Sequence, residues 1–409
     1  MLLTLRISRI YSILPVCAIR NKERNMFKVT FTILIQAVLI FSLVSKTAYS
    51  ANDDFKDLAN SYSDLVSHYY SEVALSTRIM NDAIIKFVQT PDNNSLINAK
   101  NKWIEARTIY GITEAFRFYG GPIDGVNKYG EEGPEGLINS WPLNESYIDY
   151  VKGNPNAGII NNIALDINAE TIIAANMSED DADVSTGWHA IEFLLWGQDF
   201  SLETAGIREA SDYLPTNEIN IRRSAYLVAT SALLLEQINW LAEQWLESGE
   251  GRRSFMANND PGGAILTGIA TLAGFELSAE RIATALDSGD PEDEHSCFSD
   301  QTHNDVKANF NGIKNVYLGI GMNGINFSPS ISEFIAENNL KLHENIMKVI
   351  NDTNISINNI TVPFDKMLSE AENGLGRLAA EKTVSNLLVL TENFKEAGKN
   401  LNWNVIIAE

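Results

Sequence analysis

Between Phe55 and Phe87, apolar side chains return mostly every three or four residues: Phe55, Leu58, Tyr62, Leu65, Val66, Tyr69, Val73, Leu75, Ile79, Ile84 and Phe87. That period places them on one face of an α-helix and does not suit a strand, which alternates every second residue. Pro91-Asp92-Asn93-Asn94 ends the run, and a second helix is expected over 95–119, stopping at Gly120-Gly121-Pro122. Residues 120–160, rich in Gly, Pro and Asn, read as a long irregular connection. Helical patterning returns over 159–175, 218–247, 264–286, 300–316, 330–350, 363–371 and 376–398. Strand signals are few, and the clearest, 355–362, is flanked by Asn. The expected fold is therefore all-α. A chain of 409 residues exceeds one typical core, so two four-helix-bundle-like domains are expected, 51–250 and 251–409, with Gly249-Glu250-Gly251 as the hinge.

The first fifty residues stand apart. Arg20, Lys22, Arg24 and Lys28 precede an apolar run over 29–44, and Ala48-Tyr49-Ser50 gives a small-x-small site before Ala51. This order predicts a signal peptide over 1–50, cleaved near Ser50/Ala51, with Met26 a natural start. Export to the periplasm or the outer membrane follows as an expectation. No span is expected in the mature chain. Residues 1–50 carry seven Lys/Arg and one Glu, so their loss moves the net charge from −22 to −28. So acidic a surface argues against nucleic acid and anionic lipid as partners. Cys297 would be the single remaining cysteine, and internal packing rather than a disulfide must hold the fold.

His189 and Glu192 are spaced i, i+3, so a helix carries both on one face. Trp188, Phe193, Leu194 and Trp196 surround them with apolar surface, and Gly187 admits close backbone approach at the helix start. Such a pair suits a mixed N/O metal site, although most such pairs are ordinary hydrogen-bond partners. Trp103, Arg107, Tyr110, Glu114 and Arg117 form a helical stripe, in which Glu114 is a buried carboxylate needing a partner. Arg107 or Arg117 is the plain partner and a shared metal the functional one. Asp124 is a fourth, looser candidate. Glu114 with Arg117 and Glu276 with Arg281 form a faint echo between the two halves.

Gly187-Trp188-His189-Ala190-Ile191-Glu192 matches the GxHxxE motif of the imelysin family of exported bacterial proteins. The following Phe193-Leu194-Leu195-Trp196-Gly197-Gln198-Asp199 resembles its iron-regulated protein A branch. Thr113 to Phe118, Gly121-Pro122-Ile123-Asp124, Trp141 to Tyr150 and Glu292 to His303 resemble that branch too. The resemblance implies two helical bundles with the GxHxxE helix near the site. Compared with the helical domains of bacterial iron-uptake proteins, the order Glu114, Asp124, His189, Glu192 is similar, and it implies that all four are metal-site candidates. The implied cofactor is iron or zinc, bare or chelated, with other iron-uptake proteins as candidate partners. The family name also implies a metallopeptidase, with Glu192 as its candidate base. Here Phe193 and Ala190 stand where His-Glu-x-x-His needs its second His and its Glu, so metal binding ranks above proteolysis. A non-catalytic helical interaction module at the outer membrane is the third reading.

Two weaker signals remain. Gly319-Ile320-Gly321-Met322-Asn323-Gly324 matches a nucleotide fingerprint but lacks the strand–helix frame, so it reads as a loop. His295, Cys297 and His303 cluster beside acids, and a solvated acidic loop is expected there rather than a second metal site.

Overall fold

The computed structural model describes residues 55–127 and 130–407. The signal-peptide expectation for 1–50 lies outside them. The first helix, α1, covers 55–89. The second, α2, runs Asn93–Thr113: the Asp92 side chain accepts from the Ser95 amide while Ser95 reaches back to the Asp92 amide, a reciprocal cap. Then follow α3 (Gly187–Trp196), α4 (Glu218–Gln244), α5 (Pro261–Ser288) and α6 (Thr302–Leu318). The last four are α7 (Ile331–Asn338), α8 (Leu340–Ile357), α9 (Phe364–Leu368) and α10 (Leu375–Leu401). Among the described residues there is no β-strand, only three isolated bridges, and the fold is all-α.

Where the expected helices shift, local chemistry explains the change. The second helix ends at Thr113 and tightens into a 3₁₀ turn at Glu114–Phe116, which swings the Glu114 carboxylate inward. The 159–175 helix is broken, because Asn168 caps a new helix at Ala169–Ala175 with its side chain on the Thr171 amide. Asn339 divides 330–350 in the same way, accepting from the Leu342 amide. The strand signal at 355–362 is instead the end of α8 and the turn after it. The connection over 120–160 is irregular as expected, with one-turn helices at Glu135–Ile138, Glu145–Ile148 and Gly158–Asn161.

Helix α6 organises the packing. It lies along α2 on one side and against α5 on the other, while α5 and α8 both pack on α10. Helix α3 is wedged between α2 and α4. Segments from both sides of Gly249–Gly251 thus share one continuous apolar core, and Phe55–Glu409 form one compact unit. Helix α5 is long and apolar enough to cross a membrane, yet most of its apolar stretch is buried in that core. Its middle, Leu272–Ala283, is π-wound. This segment carries Glu276 and Arg281 into the space between α2 and α6, and such windings often mark functional positions.

Candidate functional site

Every residue of α3 is buried. Gly187 opens it at φ +82°, where a Cβ would collide with the Ile138 carbonyl. Only glycine allows this left-handed start against the 135–138 turn. His189 is 1% exposed and Glu192 fully enclosed. Their side chains bond to one another, His189 Nδ1 to Glu192 Oε2, at 2.9 Å. The other carboxylate oxygen accepts from the Ser299 amide at 3.0 Å and from its hydroxyl at 2.6 Å. Glu192 is thus fixed from behind, and it orients the imidazole so that Nε2 faces away from it.

What Nε2 faces is a guanidinium. Arg107 on α2 places Nη2 3.5 Å from His189 Nε2 and 3.1 Å from His295 Nδ1. The same Nη2 donates to Asp305 at 3.0 Å, and Nε to the same carboxylate at 3.2 Å. Nη1 donates to the Asn139 carbonyl oxygen. Asp305 also accepts from the Ser296 hydroxyl at 2.7 Å and lies 3.2 Å from His295 Nδ1. The two imidazole rings are 4.7 Å apart, and the Trp141 ring covers His189 at 4.8 Å. Burial, then the charge of Arg107, pushes His189 well below its ordinary pKa. Burial pushes Glu192 up to about 8 against the Ser299 donors. His295 is pushed down to about 4 by burial and then Arg281. Asp305 pays the cost of burial, yet Arg107 holds it far below the carboxylate range.

A second network adjoins this one. Glu114 accepts from Arg117 at 2.9 Å and Arg281 at 2.7 Å through one oxygen, and from the Asn139 amide at 3.3 Å through the other. Arg281 also donates to Glu276 at 2.8 Å and Asn309 at 2.5 Å. The echo between Glu114/Arg117 and Glu276/Arg281 is therefore physical: the two pairs interlock. Asn139 joins the networks, giving its oxygen to Arg107 and its amide to Glu114.

The four sequence candidates do not converge on one point. His189 and Glu192 touch. Glu114 is committed to two arginines, the plain partnership considered above with Arg281 added. Asp124 sits beyond Arg117, 3.8 Å from its Nε, and accepts from the Phe118 amide at 2.7 Å. That bond anchors a left-handed Phe118 (φ 70°), a structural task. The loop around His295 is a correction. It is not solvated: Glu294 through Ser299 are all buried, so His295 faces His189 and Cys297 is enclosed. His295, Cys297 and His303 do not gather at metal-ligating distances. Sequence reasoning missed Asn139, Ser299 and Asp305. Asp305 had a readable sign, an acid in the first turn of an otherwise apolar-faced helix ten residues past His295.

A metal shared by His189, Glu192, Glu114 and Asp124 does not fit this geometry. His189 Nε2, His295 Nδ1 and the Asp305 carboxylate instead all face Arg107 Nη2, the resident cation between them, and with it in place they do not gather at metal-ligating distances.

An all-helical chain with a buried GxHxxE helix facing an arginine-filled, histidine-lined centre defines a class, and the comparisons give it a name. The imelysin family profile matches residues 66–392, and the chain belongs to that family. It is 23% identical over 269 residues to iron-regulated protein A of Synechococcus elongatus, covering 63% of this chain and 62% of the relative. The chain thus spans less than two thirds of that relative's length. A crystal structure of a protein from Parabacteroides distasonis, described as an iron-regulated protein A precursor, superposes with a TM-score of 0.66 at 19% identity. It covers 85% of this chain and 95% of the other. At that identity the likeness concerns the fold.

Proposed function

We propose that this protein is an exported iron-handling member of the imelysin family, which takes up iron(II) or a similar ion such as zinc through His189, His295 and Asp305. The observation that carries this is the orientation of His189: Glu192, locked by Ser299, holds Nδ1 and aims Nε2 at the position shared with His295 and Asp305. Two imidazoles and one carboxylate suit iron or zinc. A carboxylate behind the imidazole is the usual support of a metal-bound histidine. The role of Glu192 is then to orient, not to ligate. In the present state Arg107 occupies the position, so uptake requires that it withdraw. The relative's name, iron-regulated protein A, favours iron as the cargo. Peptidase chemistry draws less support, because both Glu192 oxygens are already engaged in hydrogen bonds and neither is free to activate water.

The test is metal loading of the chain after chelator treatment, with anaerobic iron(II) or zinc in calcium-free buffer, read by elemental analysis and calorimetry. Wild type should bind about one metal per chain, His189→Ala none, and Glu192→Gln should bind about 10–100-fold more weakly. Retention of metal by His189→Ala, or no binding by wild type, removes the proposal.

A further inference from the structure

A second group of acids lies away from the imidazoles, and the function above makes no use of it. Asp199 follows the end of α3, Asp300 precedes α6, and Asp365 sits on α9. Each offers one oxygen, and these oxygens all lie within 4.8 Å of one another. Asp365 is 3% exposed, and its Oδ1 is enclosed without any hydrogen-bond donor. The same holds for Glu294 Oε1, on a side chain 1% exposed that abuts Asp365. Asp199 Oδ2 and Asp300 Oδ1 are likewise enclosed and unpartnered. Four enclosed oxygens that meet no N–H or hydroxyl donor, only one another's carboxyl groups, are an anomaly, because buried carboxylates are ordinarily paired with donors or cations. The charges that act on Asp300 are Asp199 and Asp365, both of its own sign, and Asp199 is also close enough to share a proton with it.

We propose that Asp199, Asp300 and Asp365 bind a calcium ion, with Glu294 as the adjoining carboxylate. The donors are all oxygen, which selects a hard cation over zinc or iron(II). Ligand number then favours calcium over magnesium. Calcium takes six to eight oxygens and accepts several protein carboxylates, whereas magnesium usually keeps several waters and binds through one or two carboxylates. Three aspartate oxygens within 4.8 Å of one another, with Glu294 adjoining, suit the larger ion. Burial and mutual repulsion agree, pushing Asp199 up to about 6 and Asp300 up to about 7. Asp300 adopts a left-handed backbone, φ 56°.

The ion would clasp three segments remote in sequence. One of them carries Ser299, the residue that fixes Glu192 behind His189. Calcium would therefore brace the GxHxxE helix without touching it. The site does not depend on metal at His189.

The experiment uses the full chain, stripped with EGTA and titrated with CaCl₂ by calorimetry, with thermal unfolding in parallel. The variants are Asp300→Asn, Asp365→Asn and His189→Ala. Asparagine tolerates the left-handed backbone, so Asp300→Asn should fold even if Asp365→Asn does not. Wild type and His189→Ala should bind about one calcium per chain at or below about 1 mM, with the melting temperature rising as calcium is added. Asp300→Asn should lose both responses and melt higher than wild type in EGTA, because repulsion is relieved. No calcium response in wild type, or an undiminished one in Asp300→Asn, would overturn the proposal. So would a response lost in His189→Ala but kept in Asp300→Asn.

Discussion

Arg107→Ala is the most searching perturbation, because Arg107 is at once the structural cation of the buried centre and the proposed obstacle to metal. In wild type its guanidinium makes a two-point contact with Asp305 at 3.0–3.2 Å, with both side chains 3% exposed. Removing it leaves Asp305 charged, enclosed, and held only by the Ser296 hydroxyl and His295. Breaking one side of such a buried pair costs about 3–5 kcal/mol. Loss of the Asn139 bond and of arginine packing beside Tyr110 and Trp188 adds to that cost. Without metal the variant should therefore melt well below wild type. With metal the order of responses reverses. The vacated position now offers two imidazoles and an unpaired carboxylate, so iron(II) or zinc at about 100 times its dissociation constant should restore about 2.7 kcal/mol. Wild type, which must first displace its own arginine, should gain less. The assay is thermal unfolding of both proteins across a metal series in calcium-free buffer. If metal stabilises Arg107→Ala no more than wild type, the guanidinium does not stand in a metal's place. If the variant is as stable as wild type in chelator, the Arg107–Asp305 pair is not what balances the charge of this centre.

Other expectations can be checked by unfolding measurements. Gly187→Ala forces a Cβ into the Ile138 carbonyl at φ +82° and should cost at least about 2 kcal/mol, read as a lower denaturation midpoint with an unchanged m-value. Asp149→Asn removes the carboxylate that accepts from Arg208 at 2.7 Å and Arg223 at 2.6 Å, and about 3–5 kcal/mol should be lost on chemical denaturation. Stability should also fall on acidification below about pH 4. Against the cost of burial, Arg281 and Arg117 hold Glu114, and Arg208 and Arg223 hold Asp149, below their unfolded values near 4. Their contribution is complete above about pH 5 and drains away as pH falls through 4. Denaturant midpoints that do not fall between about pH 4 and pH 2, below the range in which the raised carboxyls Glu192, Asp199 and Asp300 titrate, would contradict this.

The helices were legible because their apolar period is a local property: most of the Phe55–Phe87 stripe lies in the core, although Leu75 and Ile79 face solvent. Their ends were less so. Asn168 and Asn339 break helices by capping a new start, and the same residue type sits harmlessly inside α6 at Asn309, where the Gly111 carbonyl takes its amide. The site divided along the same line. His189 and Glu192 are neighbours on one turn, so spacing alone joined them. Glu114 was recognised as needing a partner, but the choice between cation and metal depended on Arg281, 167 residues away. No local pattern announces that α5 will bring it there. The loop around His295 misled for the opposite reason: its composition is that of exposed chain, and only the packing of α3 and α6 against it makes it interior.

Asn139 is where these distant choices become one mechanism. Its single amide group spans the two networks, so Arg107 and Glu114 cannot shift independently. If Arg107 withdraws, the Asn139 oxygen loses its donor, and a buried carbonyl left unsatisfied costs about 1–3 kcal/mol. The cheapest relief is for Asn139 to turn, which frees Glu114 Oε1 and leaves that carboxylate held through its other oxygen alone, by Arg117 and by Arg281 on α5. Metal uptake at His189 should therefore be felt in the π-wound segment Leu272–Ala283. Hydrogen exchange there should quicken when iron(II) or zinc is added, and Asn139→Ala, in which the link is already cut, should abolish the change while leaving metal bound. Exchange over 272–283 that ignores metal in wild type would mean that the two networks, though joined by one side chain, do not move together.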